Sequence, residues 1–165
     1  MSLFRSHDPF PVVLQSRDQR NATQLLNACM TYARLILRRY AQLAPFAFAI
    51  DREGHIARET LEIPRLPRDP ARLWKLLTEH IAARVHRGTL QAVALCANVT
   101  LDQPSAENYT DAVILTIEQE TGHALRITVP YKIYGGQLHN ILPRRIALGK
   151  AIAEEAVTKV FPRPE

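Results

Sequence analysis

The sequence has 165 residues, of which 47% are apolar and 22% are charged. These values are ordinary for a soluble globular protein and exclude extensive disorder. No apolar run approaches the ~20 residues that span a bilayer, and the N-terminal stretch lacks the apolar core of a secretory signal. The sequence therefore predicts one domain over residues 1–165, cytoplasmic and without a membrane segment.

The basic residues are distributed along the whole chain. The formal net charge of +5 comes mainly from arginine, and contacts between basic residues and phosphate supply much of the affinity for nucleic acid. Here the arginines are spread from Arg5 to Arg163, with no dense run and no interleaved aromatic residues. The pattern favours a solvated basic surface over a nucleic-acid interface.

The first part of the chain is predicted to contain an irregular arm followed by a helix. Residues 1–20 contain Pro9 and Pro11 and are predicted to form an irregular arm before a globular core over residues 21–162. Apolar residues at three- and four-residue spacing predict a helix over residues 23–43.

A hairpin and a second helix are predicted next. Residues 46–62 indicate two strands joined by a tight turn, and the alternating charges of the second strand are typical of a sheet edge. Asp69 followed by Pro70 is a strong helix start, an N-cap with proline at the first helical position. This helix is predicted to end at Gly88.

Three consecutive strands are predicted between Gln91 and Ile133. Residues 137–144 are predicted to be a connector after the glycines at 135 and 136, and residues 145–161 are predicted to form a third helix. The apolar residues of that last helix recur at four-residue spacing: Leu148, Ile152, Ala156 and Val160.

The predicted order of elements is α-β-β-α-β-β-β-α. Because hairpins pair antiparallel, this order predicts a single α+β domain in which helices pack on a five-stranded antiparallel sheet.

Element order over residues 23–160 is similar to that of roadblock/LC7 domains and, more loosely, of profilin-like and PAS-like domains. Roadblock resemblance implies a dimeric scaffold or GTPase-regulating module, and it assigns no residue a role. A second resemblance is to a family of small bacterial proteins of unknown function, which implies no activity. The residues that carry it are Pro45 to Asp51 with Gly54, Asp111 to Val113, Glu118, Gly122 and Val129 to Tyr131.

No motif for catalysis or nucleotide binding is present, such as a Walker A loop, G-x-G-x-x-G, G-x-S-x-G or H-E-x-x-H. The six histidines are dispersed, so no metal site, cofactor or catalytic residue is predicted. Glu59, Glu118 and Glu120 are predicted to be exposed charges, with a paired acid site across strands as the alternative. Cys29 and Cys96 lie in apolar patterns and are predicted to be buried thiols.

The best candidate for a binding site is the end of the last predicted strand with the connector after it. Tyrosines three apart on a strand point to opposite faces, so they line one pocket only if the chain bends at the two glycines. The hypothesis is a concave polar site for an anion or a partner peptide, and the alternative is an exposed strand end. The candidate residues are Tyr131, Lys132, Tyr134, His139, Asn140, Arg144 and Arg145.

Without a catalytic pattern, the sequence favours a non-catalytic protein–protein association module, either a homodimer or an adaptor. The alternative is a small-ligand-binding or sensing module of the PAS/profilin-like type, which requires a pocket between the sheet and a helix. An enzyme would need convergent titratable groups that the spacing does not indicate.

Overall fold

The fold is one antiparallel sheet with a helix on each face. A computed structural model describes residues 16–136 and 141–162 of the chain. The elements are α1 (Ser16–Tyr40), β1 (Phe46–Asp51), β2 (Ile56–Glu59), α2 (Pro70–His86), β3 (Leu90–Thr100), β4 (Asp111–Gln119), β5 (Ala124–Tyr134), β6 (Arg145–Leu148) and β7 (Ile152–Ala156).

The strands follow the order β2-β1-β3-β4-β5-β6, and β7 pairs with β5 as well. The predicted α+β class and antiparallel sheet are confirmed. The strand count is corrected from five to seven, and the described part of the chain has two helices rather than three.

Helix α1 starts earlier than predicted. The predicted arm over residues 1–20 overlaps it, since residues 16–20 are helical and residues 1–15 lie outside the described residues. A fully buried leucine side chain stabilises the fold by about 1.5–3 kcal/mol relative to an exposed one, so the apolar stripe of α1 fastens it to the sheet. The sheet face under α1 is called the α1 face. The buried residues of the stripe are Ala22, Leu25, Leu26, Cys29, Met30, Ala33 and Leu37.

Helix α2 covers the other sheet face, called the α2 face, over β1 and β3. Its start is as predicted, because the Asp69 side chain accepts a hydrogen bond from the Ala71 N–H at 3.3 Å and Pro70 opens the helix. Gly88 follows the helix with a φ of +71°, a conformation that glycine adopts without strain. Within the described ranges, neither helix has the apolar length that a bilayer crossing needs.

The helix predicted over residues 145–161 is wrong, because β6 and β7 occupy most of this segment. Both strands pair with β5, β6 along Tyr131–Tyr134 and β7 along Ala124–Thr128. Together they cover the edge of β5, whose backbone groups would otherwise lack partners in the sheet. Spacing of four residues in the sequence therefore resembles a helix but arises from two short strands.

The two strands are separate because of a proline and a glycine. Pro130 of β5 has no N–H for a neighbouring strand, and at this point Gly149 N donates to Pro130 O at 2.7 Å. A Cβ atom on Gly149 would lie 2.6 Å from Glu107 Oε2, so a larger residue here would displace the Glu107 carboxylate. Glu107 in turn accepts a hydrogen bond from Lys150 N at 2.9 Å, which fixes the bend between β6 and β7.

Candidate functional site at the end of strand β2

A cavity of about 260 Å³ opens where β2 leaves the sheet. The last residue pair of β1 and β2 is Ala47 with Glu59, so Phe46 at the start of β1 extends past the end of β2. The cavity lies at this step in the sheet edge and reaches both helices. Its apolar lining includes Tyr32 and Ile36 of α1, Leu43 and Ala44 before β1, Leu61 and Leu66 after β2, and Leu73 and Leu77 of α2.

One side of the cavity is aromatic. Arg58 of β2 is directly opposite Phe48 and therefore lies on the α1 face, with its Cζ 5.1 Å from the centroid of the Tyr32 ring. The Tyr32 ring is 4.7 Å from the Phe46 ring and 5.9 Å from the Phe48 ring, centroid to centroid. A cation over an aromatic face is attracted by the ring quadrupole, so the aromatic cluster positions the guanidinium.

The other side of the cavity contains a carboxylate that is already paired. Glu59 is next to Arg58 in the strand, and it lies on the α2 face. Only 8% of its surface is exposed, so its predicted exposure is wrong. Its Oε1 accepts a hydrogen bond from Arg84 Nη1, and its Oε2 lies 3.2 Å from His80 Nε2. A buried carboxylate without such partners would be costly. The negative charge of Glu59 is therefore offset by α2.

These contacts leave the cavity with a positive character. Of the described residues that line it, only Arg58 and Glu59 are charged, and Glu59 is paired with Arg84. Arg58 forms no ion pair and no hydrogen bond through its guanidinium within residues 16–136 and 141–162. The arrangement can thus hold an apolar molecule and contact an anionic group on it.

The patch predicted from the sequence is divided between the two faces of the sheet. Tyr131 is on the α1 face with 4% exposure, and its hydroxyl donates to Asn98 Oδ1 at 2.7 Å. Burial raises the pKa of Tyr131 to about 12, so this hydroxyl is a neutral donor in the core. Lys132, Tyr134 and Arg145 share the opposite face, where Lys132 Nζ lies 5.1 Å from the centroid of the Tyr134 ring.

The remaining residues of the predicted patch do not lie with Lys132, Tyr134 and Arg145 in the described structure. Arg144 Nη1 donates to the carbonyl oxygens of Arg38 and Arg39 at 3.2 and 3.1 Å, which caps the C-terminal end of α1. His139 and Asn140 lie outside the described residues. The structure therefore brings together Lys132, Tyr134 and Arg145 and gives Tyr131 and Arg144 contacts within the fold.

Glu118 is buried, and its predicted exposure is wrong. Its exposed fraction is 0%. Its Oε1 accepts hydrogen bonds from the backbone N–H groups of Lys159, Val160 and Phe161 at 2.6, 2.9 and 3.3 Å. The carboxylate thus fastens the C-terminal tail, residues 157–162, to the α2 face of the sheet.

The three glutamates considered in the sequence do not form a paired acid site. Glu59 on β2 and Glu118 on β4 are separated by two strands of the sheet, β1 and β3. Glu120 lies in the turn after β4 and pairs with Arg17 and Arg52. Each carboxylate therefore has its own structural partners.

Two other polar clusters are explained by local structure. In the first cluster, Asp51, Glu53 and His55 each have one atom that could ligate a metal ion, and these three atoms lie within 4.8 Å of one another. Asp51 Oδ1 accepts the backbone N–H groups of Glu53 and His55 at 3.0 and 2.8 Å, and the His55 bond is the main cause that lowers the pKa of Asp51. Asp18 Oδ2 lies 2.8 Å from His123 Nδ1 and joins the start of α1 to the turn after β4.

No protein-family model matches the chain, and no curated protein and no solved structure matches it either. The function is therefore inferred from the contacts and shape of the cavity and of the uncovered part of the sheet.

Proposed function

We propose that this protein binds a small molecule in the cavity between α1, α2 and the end of β2. The cavity itself supports the proposal, because ligand sites are concave, mostly apolar and equipped with a few placed polar groups. Its volume of about 260 Å³ is slightly below the ~300–1,000 Å³ of common ligand pockets. The small volume favours a compact ligand. Of the two functions drawn from the sequence, the cavity supports the small-ligand-binding module over the association module.

Filling the cavity tests the proposal. Ala44 lines the cavity but is exposed, so Ala44→Phe adds a ring there without replacing a core residue. The test is a fluorine NMR screen of small fluorinated fragments against both proteins. We expect fragments that bind the wild type at millimolar concentration or below to lose affinity about tenfold or more in Ala44→Phe, because the ring occupies their volume.

The matched control is Ala83→Phe, which adds the same ring at an exposed position of α2 that does not line the cavity. This variant should bind the fragments as the wild type does. The proposal would be contradicted if no fragment bound, or if Ala44→Phe bound fragments as well as Ala83→Phe.

Self-association is a second candidate function, and the uncovered part of the α2 face supports it. Helix α2 packs over β1 and β3, which leaves a row of side chains across β3, β4, β5 and β7 without a covering helix. Ile152 in this row is 54% exposed. The row, called the open sheet surface, consists of the successive Cα partners Ala97, Ile114, Thr128 and Ile152.

A second copy of the chain is the occupant that the charges favour. Arg126 and Glu154 are Cα partners on β5 and β7 beside the open sheet surface, and in the described part of the chain they form no ion pair. A twofold axis parallel to these strands and midway between them would place each Arg126 opposite Glu154 of the second copy. Twofold dimers are the commonest protein oligomers, and such charge complementarity sets their register.

Native mass spectrometry and a charge exchange test the dimer. We expect the wild type to be a dimer, Arg126→Glu to be largely monomeric, and the double variant Arg126→Glu with Glu154→Arg to dimerise again. A monomeric wild type at about 50 μM, a concentration well above the dissociation constant of a micromolar dimer, would contradict this candidate.

A further inference from the structure

The guanidinium of Arg58 is positioned but not neutralised. It lies over the Tyr32 ring, with Cζ 5.1 Å from the ring centroid. The contact with the ring involves no hydrogen bond, so the N–H donors of the guanidinium are left for another group. An anion at the cavity would therefore pair with Arg58 without displacing any contact of the described residues.

The carboxylate at the cavity does not offer an equivalent site for a cation. Both oxygens of Glu59 already have partners, Arg84 on one and His80 on the other. A cationic ligand would have to displace Arg84, and it would also be repelled by Arg58. The charges around the cavity thus select against cations and in favour of anions.

The rest of the lining indicates the body of the ligand. Tyr32 and Phe46 lie 4.7 Å apart, centroid to centroid, and aromatic rings prefer to meet at about 4.5–7 Å in tilted or offset arrangements. A third ring against this pair would gain the same kind of contact. The volume of about 260 Å³ equals roughly nine water molecules at ~30 Å³ each, which suits one ring with one acidic group.

From these observations we infer that the ligand is a small aromatic carboxylate. Its carboxylate pairs with the edge of the Arg58 guanidinium, and its ring lies against Tyr32 and Phe46. The planar carboxylate accepts two parallel N–H donors from a guanidinium, a geometry that a neutral amide does not match. This inference rests on the proposed small-molecule function, and it adds the charge and shape of what is bound.

Two probes of nearly equal shape test the inference: para-fluorobenzoate and para-fluorobenzamide. Their dissociation constants are measured by fluorine NMR relaxation against the wild type, Arg58→Met and Arg72→Met. Methionine keeps most of the apolar length of arginine and removes the charge. Arg72 is an exposed arginine of α2 that does not line the cavity, so its variant controls for the overall loss of one positive charge.

The expected result is that the wild type and Arg72→Met bind the benzoate about three- to fivefold more tightly than the benzamide, because Arg58 is exposed and solvent weakens its pairing with a carboxylate. In Arg58→Met the two constants should be equal within about twofold, since the apolar contacts remain and the charge is gone. Ala44→Phe should bind both probes about tenfold or more weakly than the wild type does.

Three results would overturn the inference. Equal binding of both probes by the wild type, blocked in Ala44→Phe, would remove the selection for an anion while the proposed function stands. A preference for benzoate that persists in Arg58→Met would show that a group other than Arg58 binds the carboxylate of the probe. If neither these probes nor any neutral fragment bound the cavity, the inference and the proposed function would both fail.

Discussion

Glu59 and Glu118 are both buried glutamates on the α2 face, yet different kinds of partner compensate their negative charges. Glu59 pairs with two side chains of α2, Arg84 and His80. Glu118 accepts three backbone N–H groups of the C-terminal tail. Glu59 thus joins the sheet to helix α2 beside the cavity of the proposed ligand, whereas Glu118 holds the C-terminal tail against the sheet.

The largest effect is expected at Glu118. Glu118→Leu should lower the free energy of unfolding by about 2–5 kcal/mol, because the buried N–H groups of Val160 and Phe161 lose their acceptor at about 1–3 kcal/mol each when unsatisfied. Chemical denaturation measures this. Glu118→Gln keeps one carbonyl oxygen as acceptor, so its cost should be about 1–2 kcal/mol, which keeps the test usable if the leucine variant does not fold.

Glu155→Leu is the matched control, since Glu155 is exposed on β7. Its effect should stay within roughly 0.5 kcal/mol, as for most surface substitutions. A Glu118→Leu protein as stable as Glu155→Leu would show that the tail is not fastened by this carboxylate.

A smaller effect is expected at the other glutamate. Arg84→Met should cost about 1–3 kcal/mol, less than the ~3–5 kcal/mol typical of breaking a fully buried pair, because the Arg84 side chain is 29% exposed and His80 remains. The added variant Glu59→Gln should recover part of that loss, since it removes the unpaired charge. Denaturation of the single and double variants gives the coupling energy.

Arg72→Met provides the reference for this pair, because Arg72 is exposed on the same helix without a carboxylate partner in the described chain. Additive effects of Arg84→Met and Glu59→Gln would contradict a direct interaction between the two side chains.

The parts of the fold that depend on local sequence were predictable. Helix α2 is fixed at its ends by Asp69, Pro70 and Gly88, each of which acts on its own neighbours. The strands β3, β4 and β5 follow each other directly and carry clear β patterns. Residues 145–161 were not predictable in the same way, because β6 and β7 form only where β5 offers an edge. Their spacing fits a helix equally well.

The candidate site was harder to predict than the fold. Arg58 contacts Tyr32 only because the hairpin register places Arg58 opposite Phe48. No sequence motif predicts this register. The predicted patch around Tyr131 is contiguous in sequence, but strand alternation divides it between two faces. Glu118 sits in an alternating strand that suggests exposure, and it is buried by a tail 41 to 43 residues later in the chain.

The most direct test of the ligand-binding account is to locate a bound aromatic acid on the protein. Backbone amide signals of nitrogen-15-labelled protein are followed by NMR while para-fluorobenzoate is added. The account predicts saturable shifts concentrated at Arg58, Leu61 and Leu73, which surround the cavity, and none at Ile114 or Ile152. Shifts confined to the open sheet surface, or no saturable shifts at all, would contradict it.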